Sequence, residues 1–142
     1  MSIKTQLRVS EHPRALLDTS VVVDIDSIDE GELPVECSIS TITLAELSAG
    51  LHAVMDSAQR AARQVALQYV ESTFQSVPFD SEAARAYGRI YAAVRAAGQK
   101  PRGGRAVDFF IAATALSRAL PLFTRNAVDF TAVANLVEIV SV

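Results

Sequence analysis

Residues 107–118, Val-Asp-Phe-Phe-Ile-Ala-Ala-Thr-Ala-Leu-Ser-Arg, constrain the fold more than any other stretch of this chain. A helix that is apolar nearly all round has almost no face to offer water, so it belongs at the centre of the molecule. Its one acid, Asp108, falls in the expected first turn, where the helix dipole favours negative charge. Burial beside so much apolar surface is nevertheless costly for a carboxylate without a counter-ion. An acid in this place asks for a cation.

Short apolar strands alternate with helices around this segment. Residues 15–17, 37–40, 77–79, 120–124 and 136–140 read as strands. Helices are expected from Thr43 to about Met55, over 58–74, from a cap at Asp80 or Ser81 to Ala97, and over 107–118. In the second of these, Ala62, Val65, Ala66, Tyr69 and Val70 recur at helical spacing. Residues 28–34 have loop composition, and Gly98 stops the third helix. Residues 99–105, Gln-Lys-Pro-Arg-Gly-Gly-Arg, form a Gly-rich basic loop. This alternation argues for a three-layer α/β/α domain with a central, mainly parallel sheet. At 142 residues and 50% hydrophobic, the chain suits one such domain. We expect a polar lead-in over residues 1–12 and a single domain over 13–142.

In sheets of this kind, active sites lie beyond the carboxyl ends of the strands. Four acids stand where a strand or loop hands over to a helix: Asp18, Glu46, Asp108 and Asp129. Each also has a plain structural reading. Asp18 before Thr19-Ser20 suits a turn or cap, and Thr43-Leu44-Ala45-Glu46 fits a capping box. Asp129 suits a cap before Phe130, and Asp80 reads only as one. If the four converge, repulsion is large: about 4 kcal/mol for two unit charges about 4 Å apart at an effective dielectric of about 20. Protonation or a bound cation relieves it. Oxygen-only ligands select Mg²⁺ or Mn²⁺ over zinc, and a carboxylate cage around Mg²⁺ is the usual machinery for cutting phosphodiesters.

Net charge is only −3, but its layout is uneven. Asp18, Asp24, Asp26, Asp29, Glu30, Glu32, Glu36 and Glu46 lie in 18–46 without a Lys or Arg. Arg85, Arg89, Arg95, Lys100, Arg102 and Arg105 lie in 83–107 without an acid. An acidic half for a cation beside a basic stretch for phosphates suits a metal-dependent nuclease, and two solvated faces would look the same. Other chemistries fit less well. His12 and His52 are too few and too far apart for zinc or a His-based triad, and there is no P-loop or dinucleotide fingerprint. Thr19, Ser20 and Thr124 offer hydroxyls, more in keeping with local caps. Cys37 as the lone cysteine excludes an internal disulfide and fits a reducing cytoplasm. No run approaches the ~20 apolar residues of a membrane span, and the start lacks a secretory h-region.

Taken together, these motifs resemble the PIN-domain ribonucleases, and within them the VapC-type toxins of bacterial toxin–antitoxin pairs. The resemblance rests on 16–20 (Leu-Leu-Asp-Thr-Ser), on 39–47 with Gly50, and on Val77-Pro78-Phe79-Asp80. It rests most on 108–115 (Asp-Phe-Phe-Ile-Ala-Ala-Thr-Ala) and on Thr124-Arg125-Asn126 with Asp129-Phe130. It implies a Mg²⁺-dependent endoribonuclease, with Mn²⁺ as possible substitute, silenced by a VapB-like antitoxin and often a homodimer. The family's acids map onto Asp18, Glu46 and Asp108. Asn126 stands where many relatives carry the fourth acid, so Asp129 is taken for that role with Asn126 as a secondary ligand. Lys100, Arg102 and Arg105 are expected to grip the RNA backbone. The alternative is a PIN-like module with little or no turnover, acting by binding an antitoxin or other partner.

Overall fold

The computed structural model describes residues 12–142; residues 1–11 of the expected lead-in lie outside the described residues. The strands are β1 (Arg14–Leu17), β2 (Glu36–Ser40), β3 (Gln75–Val77), β4 (Leu122–Thr124) and β5 (Ile139–Ser141). They form one sheet in the order β3-β2-β1-β4-β5, parallel throughout. The helices are α1 (Thr19–Val23), α2 (Thr41–Leu51), α3 (Ser57–Thr73), α4 (Ser81–Ala96) and α5 (Gly104–Ser117). A seven-residue 3₁₀ segment, Ala127–Val133, links β4 to the turn before β5.

β1 shows why the molecule has three layers. Successive strand side chains point to opposite faces. Leu16 joins a core with Ile90 and Val94 of α4 and Phe109, Ile111 and Ala112 of α5. Ala15 and Leu17 join a second core with Val21, Ile39, Val70 and Phe123. Ala15, Leu16 and Leu17 are all fully buried, as expected for the middle strand of a doubly covered parallel sheet.

Several boundaries differ from the sequence reading, each for a local reason. The capping box at Thr43 does not form. Ser40 caps α2 instead, its hydroxyl accepting from the Ile42 N–H at 3.1 Å. α5 begins three residues earlier than expected, because Gly103 takes a left-handed φ of 55° that turns the chain straight into the helix. Asp108 therefore lies beyond the first turn of α5 rather than within it. Ala119 also has positive φ, and β4 starts only after it, at Leu122.

α3 departs most. Of the expected apolar stripe only Val70 is buried, together with Leu67, while Val65 and Tyr69 are 65% and 54% exposed. The stripe lines a groove of about 890 Å³ between α1, α2 and α3. α3 is nonetheless tied down. Arg63 donates to the Gly50 carbonyl at 2.8 Å and Arg60 to those of Leu51 and Val54, satisfying the carboxyl end of α2 and the turn after it.

Candidate active site

Asp18 follows the last residue of β1, and its N–H is held by the Phe123 carbonyl of β4 at 2.8 Å. That bond between the two central strands aims the side chain out over the carboxyl edge of the sheet. Asp18 is only 3% exposed. Its Oδ2 accepts from Ser20 Oγ at 2.8 Å and from Thr124 Oγ1 at 2.9 Å. The same hydroxyls accept from the backbone N–H groups of Arg125 and Asn126, which knits the loop after β4 to the acid. Asp18 Oδ1 is buried and has no hydrogen-bond partner among the described residues. An unsatisfied buried oxygen costs about 1–3 kcal/mol, more when charged, so it is a standing demand for a cation or a donor.

Glu46 reaches the same region from α2. Its Oε1 accepts from Thr19 Oγ1 at 2.7 Å, and Thr19 in turn lies 3.0 Å from Thr43 Oγ1. Thr43 and Glu46 share a face at i, i+3. The expected pairing of these two is thus replaced by one in which both turn toward the start of α1.

Asp108 of α5 completes the group. Burial pushes its carboxyl up to about 6, and the negative charges of Asp18, Glu46 and Asp129 push the same way, against Arg105. Asp18 just past β1, Glu46 on α2 and Asp129 on the 3₁₀ segment therefore lie near enough to Asp108 on α5 for their charges to act on it. Asp129 is half-buried, its Oδ1 2.8 Å from Arg105. Asn126 is exposed, and its N–H donates to Thr124 Oγ1 at 3.0 Å. Lys100 and Arg102 are exposed on the loop before α5. Asp80 is a cap, as expected, accepting from the Ala83 N–H and paired with Arg118.

Two features differ from the sequence reading. Thr19, Ser20 and Thr124, expected as local caps, instead hold Glu46 and Asp18, with Thr43 beside Thr19. Each of the three adjoins a named strand end, which was their signal. The other is Arg105 on Asp129, for which spacing in the chain gave no sign.

The arrangement suits a hard divalent ion. Among the described residues no three His, Cys, Asp or Glu side chains form a ready cage for one ion. Mg²⁺ needs none, because it usually keeps several waters and takes one or two carboxylates. The orphaned Oδ1 of Asp18 and the strained charge of Asp108 are what such an ion would relieve.

Residues 15–136 match the PIN domain family, and the chain belongs to it. It is 36% identical over 132 residues to Ribonuclease VapC5 of Mycobacterium tuberculosis, covering 89% of this chain and 94% of that one. It is 30% identical over 129 residues to Ribonuclease VapC of Rickettsia bellii, covering 85% and 91%. The crystal structure of VapBC-5, a member of the VapBC family of toxin–antitoxin systems from M. tuberculosis, superposes with a TM-score of 0.79. Identity there is 36%, over 92% of this chain and 99% of that one.

Proposed function

We propose that this chain is a metal-dependent endoribonuclease toxin, neutralised by a cognate antitoxin. One observation carries the reading: Asp108 is raised by burial and, beyond that, by three carboxylates from separate elements, Asp18, Glu46 and Asp129. Relatives named as VapC ribonucleases and a VapBC complex of the same fold support it.

Asp18 and Asp108 would hold Mg²⁺ or Mn²⁺ directly, with Glu46 and Asp129 acting through its water shell and Asn126 as a secondary ligand. When bound, such an ion supplies Lewis-acid stabilisation of charge developing on a phosphodiester under attack. The protein's own part is placement. Ser20 and Thr124 fix Asp18, and Thr19 fixes Glu46, so neither carboxylate has to be ordered when RNA arrives. Glu46 stands as the general base by default. Lys100 and Arg102, exposed on the loop before α5, would steer the RNA backbone, an attraction that weakens with salt.

The groove beside α3 is where an antitoxin segment would lie. Val22, Leu47, Val65 and Tyr69 give it an apolar wall, and Thr19 and Glu46 carry that wall up to the acids. A segment with apolar anchors and a terminal cation would match both ends. Among the described residues no helix is long and apolar enough to cross a membrane, and we place the toxin in the cytoplasm, acting as a homodimer.

The test is cleavage of single-stranded RNA with Mg²⁺ or Mn²⁺. Asp18→Asn and Asp108→Asn keep shape and remove charge, and each should lower turnover by roughly 10²-fold or more. Unchanged cleavage in both variants, or in excess EDTA, would sink the reading. Antitoxin binding without turnover in the wild type would favour the inactive binding module instead.

A further inference from the structure

Arg105 is held on three sides. Its Nη1 lies 2.8 Å from Asp129 Oδ1, and its Nη2 donates to the Asp129 backbone carbonyl at 2.9 Å. Its guanidinium sits 5.5 Å from the centre of the Phe109 ring, within cation–π range. Phe109 packs edge-on against Phe130, with ring centres 6.1 Å apart. The residue after each acid, Phe109 after Asp108 and Phe130 after Asp129, thus joins the same clamp.

We propose that Arg105 is a positioning residue that locks Asp129 at the rim of the acid pocket and sets the pocket's net charge. The inference rests on the metal-site reading above and deepens it. A guanidinium bridging one residue's carboxylate and carbonyl fixes both the side chain and the 3₁₀ backbone that carries it, a fork geometry lysine cannot reproduce. The same cation lies at i, i+3 from Asp108, on the pocket-facing side of α5. Arg105 therefore does two things. It holds the Asp129 carboxylate back, so that Asp129 would meet a bound ion only through water, and it offsets part of the negative charge around Asp108. It does so by giving up some attraction for the divalent ion.

The two effects have opposite signs, which makes the role separable from general support of the fold and from RNA gripping. Mn²⁺ binding is measured by calorimetry on RNA-free protein, beside kcat and KM for RNA cleavage. Arg105→Gln, neutral and of similar length, should bind Mn²⁺ roughly tenfold more tightly. Its kcat should fall about tenfold while KM stays within about twofold. Arg105→Lys keeps the charge, so its Mn²⁺ affinity should stay within about twofold of wild type while kcat falls. Asp129→Asn added to Arg105→Gln removes one charge of each sign and should return Mn²⁺ affinity to near the wild-type value.

Weaker or unchanged Mn²⁺ binding in folded Arg105→Gln overturns the proposal. So does a rise in KM with kcat and Mn²⁺ affinity unmoved, which would mean Arg105 grips RNA. Failure of both Arg105 variants to fold would show a structural role and also overturn it. If wild-type protein binds no Mn²⁺, the metal-site reading fails first and the inference with it.

Discussion

The two faces of the sheet are built differently. On one, α4 and α5 bury Ile90, Val94, Phe109, Ile111 and Ala112 against Leu16 and Leu122, and α5 is buried continuously from Ile111 to Ala115. On the other, the seventeen-residue α3 buries only Leu67 and Val70 and leaves an apolar wall in a groove. The dense face carries Asp108 and, through Arg105, Asp129. The loose face carries Glu46 at the groove's end. Close-packed interiors hold side chains to one arrangement, whereas a half-filled groove keeps apolar surface available to a partner. The site sits on the seam, with its geometry fixed from one side and its access open from the other.

That contrast can be broken by mutation. The largest effect belongs to the dense face: Ile111→Ala, at a fully buried position, should lose about 2–5 kcal/mol in urea unfolding. A loss below about 1 kcal/mol would mean that α5 is not the packed centre of the domain. Next comes the seam. Asp108 titrates at about 6 in the folded chain, above its unfolded value, so the native state binds the extra proton between about pH 4 and 6. Stability then falls as pH rises through that window and stays lower above it. Without metal, Asp108→Asn should be more stable than wild type at pH 8 by roughly 1 kcal/mol, a figure discounted because Asp108 is only half buried. The gain should vanish below about pH 4, and a gain that persists there would point to packing instead of charge. The smallest effect belongs to the loose face. Tyr69→Ala should change stability by no more than about 0.5 kcal/mol while weakening binding of a groove-filling antitoxin segment. A large loss of stability would show that Tyr69 is core after all.

Much of this was legible in the sequence because it follows from local rules. An apolar β1 followed by Asp18, and a helix with almost no polar face, fix the sheet and its central partner. Asp18, Glu46 and Asp108 stand out because acids next to buried segments need a reason. What escaped depended on contacts between distant residues. Thr43 and Glu46 satisfy a capping pattern on paper, yet Ser40 lies close enough to cap and Thr19 close enough to take the carboxylate. α3 has a clear apolar stripe, but periodicity cannot say whether a stripe meets the core or a groove. Arg105 looked like one more cation in a basic loop until the 3₁₀ segment brought Asp129 to it.

Whether the acids share one pocket is reported directly by the side-chain carboxyl of Asp108. Its pH titration can be followed by NMR in metal-free protein, in wild type and in Asp18→Asn. The wild-type midpoint should lie near 6 and move down when the Asp18 charge is removed. A midpoint near the ordinary value of about 4 in both proteins would contradict a shared pocket.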